Sequence, residues 1–390
     1  MATMITVRTL GDLFTGNAAQ VAAHIKALAW ARPLTKSNPP TGNDCLPKAS
    51  VPSSGKAPQS GAIAVFSGEI AEDQVVSGLG IASDTVDDGA DAQRALSAAV
   101  RVARDRGTAE TREVGAQAAF RLAIQLEDAG NVDASERSLQ DAVVLGRSSR
   151  TRVGLETAAR AAYNLGVSLD DRGKAEEARK AWKSCKSSGR ASKSPAGQAV
   201  AAEAAFCLGL SLAKIGKAEA AYLAWRDAKT LGRASGTQAG QEAGAKAALN
   251  AGLSLNRVGK TEEARQAWRD AATLGRVSET PVGQEAGAKA AFNLGLDLHR
   301  LGKTEEALLD WREAVALGRA SGTPAGQQAG ARAALKLGLL LSDASRSGEA
   351  REAYRESITL GQACGTDAGL EAASRSGSHL NEVPQQGSPG

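Results

Sequence analysis

The triplet Gly259-Lys260-Thr261, which returns as Gly302-Lys303-Thr304, has the ending of a phosphate-binding loop, where backbone N–H groups cradle phosphates and the lysine reaches them. Such a loop also needs a glycine five residues before its second glycine, after a strand. Ser254 and Asp297 stand there instead, inside helical patterns, so the triplets read as a turn and a helix start. His24, His299 and His379 are the only histidines, and none has the HExxH spacing that places two imidazoles on one helix face around zinc. Neither a histidine-based metal site nor a triad is expected, and His299 reads as a solvated helix residue. Cys45, Cys185, Cys207 and Cys364 contain no CxxC pair, so neither a zinc site nor a disulfide framework is indicated. They read as the reduced thiols of a cytoplasmic protein.

The elements that carry these residues are copies of one unit. Trp182, Trp225, Trp268, Trp311 and Tyr354 are spaced by 43 residues, with Leu139 and Leu96 continuing the series backwards. Gly166, Gly209, Gly252, Gly295 and Gly338 keep the same step, as do Gly173, Gly216, Gly259 and Gly302, so insertions are absent. Residues 233–275 and 276–318 share 28 of 43 positions, and about seven copies run from residue 66 to residue 365. Near-identical copies offer no unique arrangement of acid, base and nucleophile, so no catalytic residue and no cofactor are expected.

Composition agrees with a helical chain. Aromatic residues make up only 3% against 42% apolar residues overall, and alanine and glycine suit closely packed helices better than a sheet. A net charge of +4 sets up no strong field toward nucleic acid or membrane, and no run approaches eighteen consecutive apolar residues. The chain is therefore expected neither to be secreted nor to span a membrane. In one copy, Phe292, Leu294, Gly295, Leu298 and Leu301 fall on one helix face; Ala307, Trp311, Ala314, Val315 and Leu317 fall on a second. Each copy is two helices, turning at Gly302-Lys303, with Thr304 read as the N-cap of the second helix and Gly318 as its C-cap glycine.

The stretch FNLGLDLHRLGKTEEALLDWREAVAL, residues 292 to 317, resembles the tetratricopeptide repeat (TPR) family through Asn293-Leu294-Gly295, Gly302, Glu305-Glu306-Ala307, Trp311 and Ala314. The resemblance covers about 300 of the 390 residues. It implies an all-α, right-handed superhelical α-solenoid of about seven helical hairpins with a C-terminal capping helix. Each copy is nine residues longer than the family's unit of about 34, and Arg319 and its equivalents replace the family's proline. The extra residues lie in GRASGTPAGQQAGARA, residues 318 to 333. Thr323-Pro324 is a helix start, and Gly326, Gly330, Ala334 and Gly338 then form a small-residue stripe with a four-residue step, so the first helix is lengthened rather than preceded by a long loop. Residues 1–62 read as an extension with a short helix and a disordered Pro/Ser/Gly-rich linker, 63–383 as the solenoid, and 384–390 as a disordered tail.

For function, the family's first helices line a concave groove. Here its lining would be Leu210, Leu253 and Leu296 with Asn164, Asn250 and Asn293, flanked by a changing set that includes Asn256, Arg257, His299 and Arg300. The resemblance implies a non-catalytic protein–protein interaction scaffold that binds a peptide or partner protein there; drift at exposed sites would vary these positions in the same way. Family members that clamp chaperone tail carboxylates have Asn where the leucines stand, and that activity is not carried over. A ladder of arginines, Arg104, Arg147, Arg190, Arg233, Arg276 and Arg319, is the second candidate site. It is either a basic edge for nucleic acid or an acidic ligand, or a set of cations offsetting helix dipoles. Copy charges of +2 for 233–275 and −2 for 276–318 argue against a continuous basic groove, and nucleic acid is not the expected partner.

Overall fold

A computed structural model describes residues 90–383; the expected extension 1–62, the first helix of the first copy, His24, Cys45 and the 384–390 tail lie outside the described residues. The described residues form fourteen α-helices and no strand, in two compact units. The first unit reaches Lys174 and contains α1 (Ala90–Arg106), α2 (Ala109–Asp128), α3 (Val132–Ser149) and α4 (Arg152–Asp171). Its helices pack each on the next, and α2 also packs on α4.

The second unit starts at Ala175. It holds α5 (Ala175–Ser192), α6 (Pro195–Lys214), α7 (Ala218–Ser235), α8 (Gln238–Arg257), α9 (Thr261–Ser278) and α10 (Pro281–Arg300). It continues with α11 (Thr304–Ser321), α12 (Pro324–Asp343), α13 (Ser347–Cys364) and α14 (Asp367–Glu382). Within this unit α6, α8, α10, α12 and α14 also pack on one another in succession, so the first helices of the copies form one layer and the second helices the other.

The start of each lengthened first helix is set by local chemistry. Thr323 is extended at φ −83°, and its Oγ1 accepts the Gly326 N–H at 3.1 Å, while Pro324 supplies a fixed φ at the first helical position. GRASGTPAGQQAGARA is therefore helix on both sides of a two-residue break, Gly322-Thr323. Two boundaries differ from the sequence reading. Gly318 is not a C-cap: α11 runs on to Ser321 and is capped by Gly322 at φ +61°, a left-handed conformation open to glycine without strain. Thr304 is the first helical residue rather than the N-cap; Lys303 occupies that place and makes no side-chain cap bond.

Gly318 has a packing role instead. A Cβ built there would lie 2.5 Å from the Gly326 carbonyl oxygen and 2.9 Å from Gly330 Cα, so its absence is what lets α11 and α12 cross with backbones touching. The repeated aromatic uses the same device. Trp311 lies edge-on against Gly295, where a Cβ would meet the indole nitrogen at 2.5 Å, and its Nε1 donates to the Phe292 carbonyl at 3.3 Å. The array ends on a polar face, with Glu371, Ser374, Arg375, Ser378 and Asn381 of α14 exposed, as a terminal repeat requires. Of the described helices, α6 alone is long and apolar enough to cross a membrane, and 72% of that window is buried among its neighbours, as in a core helix.

Candidate interaction surfaces

The first-helix layer carries the groove residues expected from sequence. Asn164 lies half-buried on α4 in the first unit; in the second unit Leu210, Leu296, Asn250 and Asn293 are half-buried and Leu253 is 40% exposed. Asn250 spends its amide on its own helix, donating to the Lys246 carbonyl at 3.1 Å. Asn256, Arg257, His299 and Arg300 are exposed at the ends of α8 and α10. His299 tilts against the Trp311 ring at 5.7 Å between centroids, which holds the imidazole at the layer's edge. Among the described residues Lys214, Arg257 and Arg300 have no carboxylate partner, so a column of free cations runs beside the leucine column, one turn along each helix.

The arginine ladder is built differently. Its members lie inside the last turn of each second helix rather than after it. Five of them reach the carboxylate 37 residues on, in the next copy: Arg104 to Asp141, Arg190 to Asp227 at 3.6 Å, Arg233 to Asp270 at 2.9 Å, Arg276 to Glu313 at 3.1 Å and Arg319 to Glu356 at 2.6 Å. Arg147 holds the same place on α3. Asp227 and Asp270 also take Lys186 and Lys229, at 2.7 and 2.6 Å. The charge of these five is thus met by the chain's own acids. Their guanidiniums are 56–63% exposed, so each pair contributes under about 1 kcal/mol. The sequence reading missed these pairs, although Asp141, Asp227, Asp270, Glu313 and Glu356 keep the 43-residue register, broken only at Ser184.

A second charged group was also missed. Lys246 of α8 is buried between two carboxylates, with Nζ 2.9 Å from Glu203 Oε1 of α6 and 3.6 Å from Glu242 Oε1, and lies 4.8 Å from the centre of the Phe206 ring. Burial pushes the Glu203 carboxyl above its ordinary range, against the pull of Lys246. Glu203 stands where the other copies of this unit have Lys246, Lys289, Arg332 and Arg375, so this reversal of sign ties α6 to α8. On α11, Asp310 replaces the buried alanine of other copies, and burial followed by the nearby Glu313 charge pushes its carboxyl up to about 6. No group of three metal-ligating side chains converges among the described residues. Cys185, Cys207 and Cys364 are buried cysteines, and burial pushes the Cys185 thiol up, which makes it unreactive.

The sequence profile of the anaphase-promoting complex subunit 5 family matches residues 110–169, 288–329 and 323–383, together less than half of the chain. Two of these matches, 288–329 and 323–383, fall on hairpins in which Gly295 meets Trp311 and Gly338 meets Tyr354. The chain is a TPR-type repeat protein. Solved structures similar to this TPR chain include BtubC from P. vanneervenii, at 14% identity over 65% of this chain and 94% of that one, TM-score 0.38. The C-terminal part of a TPR repeat-containing protein from Cytophaga hutchinsonii is 9% identical over 77% and 98%, TM-score 0.41. The S. pombe nuclear import adaptor Nro1 is 9% identical over 68% and 99%, TM-score 0.44. All three scores are below 0.5, so the assignment rests on the repeat itself. No curated protein matches the sequence.

Proposed function

We propose that this TPR chain is a non-catalytic protein–protein interaction scaffold of the cytoplasm that holds a peptide or partner protein along the concave groove of its first-helix layer. The observation that carries the reading is the pair of columns on α6, α8 and α10: Leu210, Leu253 and Leu296 beside the carboxylate-free cations Lys214, Arg257 and Arg300. Between them the side chain changes from Ala213 to Asn256 to His299. A constant frame with a changing residue suits a partner of defined sequence better than a uniform polymer. The arginine ladder gives no support to nucleic-acid or acidic-ligand binding, because five of its six members pair with acids of the chain itself.

The test uses the immobilised full-length protein in three forms: wild type, Leu253→Glu with Leu296→Glu, and Arg233→Ala with Arg276→Ala. Partners captured by the wild type should be lost by the leucine pair and kept by the arginine pair. Partners kept by the leucine pair and lost by the arginine pair would overturn the proposal.

A further inference from the structure

One interval between copies in the second unit is built unlike the others. A buried leucine recurs at Leu122, Leu165, Leu208, Leu294 and Leu337, but the same position in α8 is Ala251. The neighbours do not collapse into the missing isobutyl group, and a cavity of about 170 Å³ lies between α7, α8 and α9. Its apolar wall includes Trp225, Ala251, Leu255 and Ala267. Its polar lining is Tyr222, Arg226 and Lys229 from α7 with Glu263 and Gln266 from α9.

Tyr222 is the second departure. Its position carries Arg179, Arg265 and Arg351 in alternate copies, whose guanidiniums reach Ser211 and Asp297 on the following first helix and the Val383 carbonyl just past the end of α14. Tyr222 has no such bond among the described residues and lines the cavity instead. One copy further on, the place of Ala267 is taken by Asp310, so the small residue that leaves the cavity room is replaced there.

We propose that this cavity is a binding site for one six-membered aromatic ring carrying a polar substituent, a phenol being the simplest member of the class. The space is large enough for one such ring, since an apolar cavity of about 150 Å³ takes up benzene, and the exposed Arg226, Glu263 and Gln266 leave it open to solvent on one side. Trp225 and Tyr222 place two aromatic side chains in the lining, with which a ring there can pair. The polar substituent follows from the lining: Arg226 has no ion pair among the described residues, and the exposed Gln266 amide offers both a donor and an acceptor, which a hydroxyl can use together. The site lies between two second helices and the first helix α8, and none of its residues belongs to the groove columns, so it stands or falls apart from the scaffold reading.

Phenol titrated into the full-length protein, followed by saturation-transfer NMR, is the direct probe. Wild type should bind it, and Ala251→Leu, which restores the residue of the other copies, should weaken binding by about tenfold or more. Ala251→Val fills less of the cavity and takes the place of the leucine variant if that one fails to unfold cooperatively. No binding to wild type, or undiminished binding to a folded filled variant, overturns the proposal. A capped Gly-Tyr-Gly peptide identifies the source of the ring. Affinity equal to that of phenol supports a partner's tyrosine side chain, and affinity about tenfold weaker supports a free small molecule.

Discussion

Replacing Gly318 and Gly330 by alanine, singly and together, perturbs the crossing by which one copy is held to the next. At Gly318 the new methyl would meet backbone, the Gly326 oxygen at 2.5 Å and Gly330 Cα at 2.9 Å, neither of which can move alone. At Gly330 it would meet Leu360 Cδ1 at 3.0 Å, the end of a flexible side chain, and Gly318 Cα at 3.4 Å. Alanine gains about 1 kcal/mol over glycine in a helix interior, whereas overpacking typically costs about 1–3 kcal/mol. The two nearly cancel for Gly330→Ala, whose place is held by Ala158 and Ala201 in other copies, and the expected change is within about 0.5 kcal/mol. For Gly318→Ala overpacking wins, with a net loss of about 1–2 kcal/mol.

The double variant brings two methyls face to face. Crossings in the described copies keep a glycine on at least one side: Ala103 meets Gly115, Gly146 meets Ala158, Gly189 meets Ala201, and Gly361 meets Ala373. The pair should therefore cost at least about 1 kcal/mol more than the sum of the single changes. Urea midpoints and slopes, followed by circular dichroism, supply the comparison. Stabilisation by Gly318→Ala, as on an open helix face, or strict additivity in the double variant, would refute the packed crossing.

Other outcomes follow from named groups. Asp310 has its carboxyl raised to about 6, so its charge opposes folding above that pH; stability should rise as pH falls from about 7 toward 5, and Asp310→Ala should abolish the gain and stabilise the protein at pH 7, as measured by urea unfolding at each pH. Lys246→Met strands the Glu203 and Glu242 carboxylates without a counter-charge and should cost roughly 3–5 kcal/mol; a loss below about 1 kcal/mol would mean that the buried pair is already protonated or hydrated. Excising residues 233–275 should leave a shorter folded array with unchanged helicity per residue, because each copy packs only on its neighbours. An unfolded product would contradict a modular stack.

The repeat, the helix pairs and the lengthened first helix were legible because each is written as a period, and 43-residue columns of tryptophan and glycine tolerate no other register. What stayed illegible was decided across copies. Gly318 follows an apolar run as a C-cap glycine would, and only the approach of Gly326 and Gly330 makes it a crossing residue. The arginines announced themselves as a ladder, but their partners became visible once stacking placed each beside the acid 37 residues on. Nothing in the sequence singled out Glu203, whose partner is seen only where α6 and α8 lie side by side and Lys246 faces it. The leucines recur with the 43-residue step and so read as a column, while the absence of carboxylates around Lys214, Arg257 and Arg300 is a property of the packed chain and has no sequence signal.

Hydrogen exchange of the full-length protein, with and without a captured partner, measures directly which layer does the binding. The account predicts new protection confined to the first helices, centred on 207–214, 250–257 and 293–300. New protection on the second helices around Arg190, Arg233, Arg276 and Arg319, with the first-helix layer unchanged, would contradict it.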